Sequence, residues 1–428
     1  MRAARALLRR GRAHGGRAPL PEAGRGASLR AAASVFVATR LFLLVVSLLA
    51  GRLLPGRRVA APTLAALWNQ WDVRWYVHLA DQGYLWRAPP AQSDLAFFPL
   101  YPLLVHLLTL LTPLSAFAAG VLVAHLSFAV ALYLLHRLVS RDYGTDVAER
   151  TLWFLSLFPT ALFFFTAYAE ALFLACSVGC VYALRLRHWW RAGLCGAAAV
   201  LTRQLGVLLL APFLVEYGAS CGWARRPRPR RAGPTAAPET PAPHPGERQR
   251  LWAGLGAGLL IPAGLLPFVI YLQLRFGDGL LFLRAQRAWE RSLAPPWQGV
   301  VLGVRHAVHL GMRLSPQATV TLQTLDLLDL CWLTLFLALL ALGVRRVRPS
   351  YTAYAAVVWL AILLAPATGR HQPLALLSLG RFAVTLFPPY LVLALLARRR
   401  LVERLTLLLS VGLLTLFTLL FISGAWVA

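Results

Sequence analysis

The 428-residue chain has no lysine, one asparagine, four isoleucines and two methionines, and its 16 acidic residues face 43 arginines. Charged residues make up only 14% of it and hydrophobic residues 58%, whereas soluble domains run at about a quarter charged and about half apolar. A soluble globular protein is excluded first. The five cysteines (Cys176, Cys180, Cys195, Cys221, Cys331) are odd in number and lie mostly in apolar runs. Membrane helices use small residues for close packing, and that explains Cys176 and Cys180, four apart on one presumed helix face, better than a metal site or a disulfide. HExxH, CxxC, DxD-type acid pairs outside, a Walker loop and a GxGxxG turn are all missing. Metal-dependent hydrolysis, ATP-driven transport and soluble nucleotide-sugar chemistry are therefore unsupported. No metal and no cofactor are expected, and an enzyme acting outside the cytoplasm would need its activated substrate delivered on a lipid. Abundant Ala, Arg, Gly and Pro beside so little Lys, Asn and Ile is what GC-rich codons give. It points to a GC-rich bacterium and says nothing about mechanism.

What is present is a recurrence of apolar stretches of about 18 residues or more, where about 20 are needed to span a bilayer as helix. The expectation is an all-α, polytopic membrane protein with about ten or eleven transmembrane helices. The net charge of +27 would suggest nucleic-acid binding in a soluble domain. Here the arginines sit mainly between apolar spans, as the positive-inside bias of cytoplasmic loops requires, so membrane lipids are expected partners and nucleic acid is not. Residues 1–30 hold eight arginines and no apolar core; they read as a disordered cytoplasmic arm. Residues 31–217 read as an N-terminal catalytic membrane module whose outer loop and juxtamembrane helices occupy 51–115. Residues 218–250 have the Pro/Arg-rich composition of a cytoplasmic linker, and 251–428 form a C-terminal membrane module. Two parity choices follow from arginine placement: a surface-lying helix at about 97–112 before a span at 116–137, and a pair of short helices within 192–217 that turn at Arg203 near the outer surface.

The acids that can face outward are few: Asp72, Asp81, Asp94, Glu170, Asp278 and Glu290. The densest polar and aromatic grouping is LWNQWDVRWYVHLADQGY. Read as a helix, it puts Val73, Tyr76, Val77 and Ala80 on an apolar stripe suited to the membrane interface, and Asp72, Trp75, Leu79 and Gln82 on another face. An acid there, flanked by Trp71 and Trp75, is partly desolvated, which suits a base that must take up a proton. The alternative is that the tryptophans form an aromatic belt and Asp72 caps the helix. Glu170, in FFFTAYAEAL, opens an apolar span, where the helix dipole favours an acid and where acids at membrane depth are functional candidates. Arg203 in LTRQLG and Arg381 in SLGRFAVTLFPPY interrupt or start apolar stretches. Each can snorkel, and the two together fit an anionic lipid headgroup, since arginine matches phosphate in a bidentate fork. His78, Arg74, Arg370 and His371 are further candidates of that type. A transporter or lipid flippase is the competing class, with Asp326 and Asp329 in TLDLLDL as its best residues.

WDVRWYVHLADQGY (71–84), AFFPLYPLL (96–104), FPTALFFFTAYAEALF (158–173), LTRQLG (201–206) and SLGRFAVTLFPPYLVLA (378–394), in that order, resemble the PIG-V-type mannosyltransferases, and most of all their bacterial members. The resemblance implies a GT-C fold: a multi-span helical protein whose first outer loop carries a catalytic acid. It implies a polyprenyl-phosphate sugar, typically mannose, as donor, and a glycolipid or other extracytoplasmic acceptor. By that match Asp72 is the catalytic acid and general base of an inverting transfer. Tyr168, Glu170, Arg203 and Arg381, with Trp71, Trp75, Tyr76 and His78, belong to the blocks that hold the donor phosphate or substrate. The expected location is the inner membrane of a bacterium, with the active site on the extracytoplasmic side.

Overall fold

The computed structural model describes residues 23–53, 63–89, 91–222, 245–288, 293–308, 316–366, 376 and 379–427. They form helices and connecting turns, with no strand among the described residues. Residues 1–22 of the basic arm, most of the Pro/Arg-rich linker (223–244), Glu290, Arg370 and His371 lie outside them, while the arm's residues 25–30 are helical and not disordered.

Among the described residues four helices are long and apolar enough to cross a bilayer: α1 (Arg25–Leu53), α5 (Ala116–Tyr143), α14 (Pro316–Gly343) and α18 (Arg400–Ile422). A fifth span is possible if α10 (Pro245–Ala263) and α11 (Leu266–Phe276), which meet at a 40° bend, count as one. The bend follows Pro262, which removes a helical hydrogen bond and crowds the preceding turn. The other stretches read as spans are shorter or broken helices: α6 (Thr145–Ser156), α7 (Glu170–Arg185), α8 (Trp189–Thr202), α9 (Leu210–Ser220), α15 (Pro349–Leu363), α16 (Leu379–Val384) and α17 (Phe387–Leu396). Prolines and charged residues interrupt them, and hydropathy alone does not register such breaks. The polytopic all-α class stands.

α5 and α7 form the centre. Small residues of the two helices (Ala119, Ala124, Ala131, Ser177, Ala183) are buried, and small residues let helix backbones approach closely in a membrane. α6 and α8 pack beside them, and α1, α17 and α18 close one side. The cysteines are free; Cys195 lies where a Cβ on Gly179 would come within 3.4 Å of its sulfur, so it serves as a small packing residue. Outward faces of α1 and α18 leave Leu41, Val45, Leu48, Leu405, Leu408 and Leu409 exposed, as lipid contact requires. The first loop folds into α2 (Leu64–Trp68), α3 (Asp72–Gln82), a 3-10 turn Asp94–Ala96 and α4 (Leu100–Leu111), over which α12 (Leu281–Arg287) packs.

The chain runs from one end of the bundle to the other along α7, back along α8, breaks at Arg203 and returns along α9. Arg185, at the end of α7, proves the return: it holds Asp142 of α5 at 2.9 Å and Glu216 of α9 at 3.2 Å. Arg348 joins them at 3.4 Å from Glu216, and Tyr351 donates to Asp142 at 2.5 Å. Both Glu170 and Arg203 lie at the opposite end.

Candidate active site

Four segments far apart in sequence converge at that end. α3 supplies Asp72. Its N-terminus is set by Trp71, a non-glycine residue at φ +53°, a region costly for an L-residue and found where surrounding structure enforces it. Asp72 does not cap the helix: Trp71 holds the cap position and makes no side-chain cap bond. The carboxylate instead takes Nη1 of Arg381. Val73, Tyr76 and Ala80 are buried against the protein, so the stripe expected to lie on the membrane packs into the core. The period of the pattern was right and its partner was not, since lipid and protein interior are equally apolar.

The second segment is the turn before α7. Arg40 of α1 donates to the Phe164 carbonyl at 2.6 Å, and Phe164 stacks on Phe128 with ring centres 4.7 Å apart. The Thr166 hydroxyl donates to the Trp68 carbonyl at 3.2 Å. These bonds fix the turn that delivers Tyr168 and Glu170. The Tyr168 hydroxyl accepts the Asp72 backbone N–H at 3.3 Å, and its ring lies 4.6 Å from the Arg381 guanidinium carbon. Glu170 is fully buried, and its Oε1 accepts from both Arg381 Nε and Arg203 Nη1.

Third is the break in LTRQLG. Arg203 has extended backbone, and a 3-10 turn Gln204–Leu209 follows. Gly206 permits the close return: a Cβ there would fall 2.3 Å from the Val200 nitrogen. Fourth is α16, whose Gly380 carbonyl accepts from Thr160 at 2.8 Å and whose Gly380 N–H is held by Asp329. Asp329 thus braces the helix that carries Arg381. Its neighbour Asp326 pairs with His306 at 3.0 Å. This is where the two acids of a transporter reading lie.

The result is an open chain of charge, Asp72–Arg381–Glu170–Arg203, two acids and two guanidinia joined by three ion pairs, beside a cavity of about 130 Å³ lined by Asp72, Tyr76, Arg203 and Arg381. Among the described residues no cluster could hold a metal ion. The other candidates stand further out. Trp75 stacks on Phe97 at 5.8 Å, and Trp71 meets Trp426 edge-on at 5.0 Å. His78 lies 4.0 Å from Asp94, whose carboxyl burial pushes above its usual pKa while the Leu85 N–H, at 3.0 Å, pulls it back. Arg74 is spent on Asn69 and Gln70. Asp81 borders a separate apolar groove of about 540 Å³ between α3, α4 and α11. The sequence pattern missed Gln204, Gln286, Phe382 and Trp426 of the cavity lining. It also missed Arg40, although a lone arginine within VATRLFLLVV was a signal.

The fold and this charged cavity define a multi-pass membrane protein with an acid and two arginines poised at one end of its bundle. Residues 55–215 match the family model described as mannosyltransferase (PIG-V). No curated protein matches the chain. Among solved structures it is similar to ArnT from Cupriavidus metallidurans bound to undecaprenyl phosphate, at 13% identity and a TM-score of 0.48, covering 92% of this chain and 76% of that one. It is similar also to the apo oligosaccharyltransferase of Archaeoglobus fulgidus, at 12% identity and a TM-score of 0.49, covering 93% of this chain but only 56% of that one.

Proposed function

We infer that the protein is a membrane-embedded GT-C-type glycosyltransferase that moves a mannosyl residue from a polyprenyl-phosphate sugar to an extracytoplasmic glycolipid or glycan. The observation that carries this is the convergence of Asp72, Arg203 and Arg381 on one cavity, with the buried Glu170 paired to both arginines. The match of 55–215 to the mannosyltransferase (PIG-V) family model supports the sugar.

The chemistry follows from the charges. The C1–O bond of the donor breaks with its electron pair leaving on the polyprenyl phosphate, an anion that needs cationic donors. Arg203 and Arg381 supply them in place of a metal, Arg through its planar fork. The acceptor hydroxyl loses its proton to Asp72 as its oxygen bonds to C1 from the opposite face, inverting a β-linked donor to an α-linked product. In the resting site Arg381 occupies the Asp72 carboxylate. An arriving phosphate competes for that guanidinium and frees the base in the same event. Glu170 keeps both arginines aligned throughout. The active end is taken as extracytoplasmic because the arginine-rich turns lie at the other end.

The test is Asp72→Asn, which keeps the size and removes the base. Transfer from polyprenyl-phosphate mannose in purified membranes should collapse by at least about 100-fold, the usual contribution of a general base, while the protein is still made and folded. Near-normal transfer refutes the assignment of Asp72. Acceptor-dependent release of polyprenyl phosphate by the wild type separates the enzyme from a transporter, which gives none.

A further inference from the structure

Trp426 follows α18 and lines the same cavity as Asp72 and Arg381. Its place is secured by three observations. Trp71 Nε1 donates to the Ala425 carbonyl at 3.2 Å, the Trp71 and Trp426 rings meet edge-on at 5.0 Å, and Val427 beyond them is buried. Gly424, at φ +89°, makes the turn that brings this segment back over the bundle. Trp71 is the residue at φ +53° that presents Asp72, so the segment after α18 is keyed to the entry of α3.

The indole Nε1 of Trp426 is shut away from solvent and has no hydrogen-bond partner among the described residues. Buried Trp N–H groups ordinarily find one. The charged groups of the cavity are assigned to the phosphate and the proton, but its remaining polar lining is neutral: Gln204, Gln286, Thr202 and Tyr76. Neutral amides, hydroxyls and an indole N–H match a ring bearing several hydroxyls.

We propose that Trp426 is a sugar-recognition residue: its indole N–H donates to a hydroxyl of a single neutral hexosyl ring seated beside Asp72, with Gln204 completing the same subsite. The inference rests on the donor assigned above and adds to it the part of the site that recognises the sugar rather than the phosphate. It also makes the segment after α18 part of the substrate wall.

The experiment compares two probes on the purified full chain in nanodiscs: polyprenyl-phosphate mannose and the same polyprenyl phosphate without sugar. Wild type should bind the mannosyl lipid more tightly. Trp426→Phe keeps the ring against Trp71 and removes the N–H. It should weaken the mannosyl lipid by about five- to tenfold, the loss of one neutral hydrogen bond, and leave the bare lipid unchanged. Gln204→Ala, at an exposed position, should do the same. Unchanged affinity of both variants for the mannosyl lipid, equal weakening of both lipids, or a wild type that binds both lipids equally overturns the role of Trp426 while leaving the donor-phosphate reading intact. A wild type that binds neither lipid defeats the donor reading, and this inference with it.

Discussion

Glu170 and Arg203 can be separated energetically because their pairings are unequal. Glu170 Oε1 serves two guanidinia, whereas Arg203 has Glu170 as its acid partner and keeps 13% of its side chain exposed. Glu170→Gln therefore strands Arg203 and leaves Arg381 only Asp72. Breaking a buried pair from one side costs about 3–5 kcal/mol, and with Glu170 at 0% exposure the loss should lie in that range. Arg203→Gln strands nothing, because Glu170 retains Arg381. Its cost should be that of one hydrogen bond to a charged group, about 1.5–3 kcal/mol. In the double variant the stranded guanidinium is gone, so the combined loss should fall short of the sum by about 1–3 kcal/mol, the range for residues in one network. The assay is reversible denaturant unfolding in mixed micelles for all four proteins. Losses that add to within about 0.5 kcal/mol, as independent sites do, would show that the two residues are not coupled and would refute the chain of charge as a structural unit.

Three further outcomes follow from other parts of the fold. Gly206→Ala should collapse the turn that presents Arg203, because its Cβ would meet the Val200 nitrogen at 2.3 Å; folded yield and thermal stability in detergent should both fall sharply, and a wild-type melting profile would contradict the turn. Arg185→Leu leaves Asp142 and Glu216 short of their principal cation at the end remote from the cavity, so unfolding should be easier by about 3–5 kcal/mol while transfer per folded molecule is kept; a selective loss of turnover would contradict that division. Arg40→Met replaces a buried cation whose Nε and Nη2 lack partners among the described residues. Stability should hold or rise, yet transfer should drop because the Phe164 carbonyl loses the donor that fixes the Tyr168–Glu170 turn; full activity would mean that the turn holds itself.

What the sequence disclosed depended on whether a residue sat in a pattern. Glu170, Arg203 and Arg381 could be singled out because each is a charge in or beside an apolar run, where burial is costly and demands a reason, and Asp72 because it is an acid between two tryptophans in the densest polar and aromatic grouping. The turn at Arg203 was legible from the need to keep arginine-rich segments on one side. Gln204, Gln286 and Trp426 carry no such mark, since a polar amide or a tryptophan near a membrane boundary is unremarkable until folding puts it beside an acid. The four-residue clamp of Asp142, Arg185, Glu216 and Arg348 was hidden for a related reason. Its members fall in different basic segments, each explained locally by orientation. Helix lengths were less legible than helix positions, because hydropathy sums over a window and does not register a proline or an arginine that ends a helix inside it.

α7 begins at Glu170 and ends at Arg185, and both ends are fastened by ion pairs to neighbouring helices. Its 16 residues measure about 24 Å at 1.5 Å each, against a hydrocarbon core of about 30 Å. The helix is thus a ruler shorter than the layer it stands in. Either the bilayer thins around the bundle, or one charged layer lies below the headgroup plane. In the second case the phosphate of a lipid substrate is drawn down past its neighbours to reach the arginines, and local membrane thickness becomes a variable of the reaction.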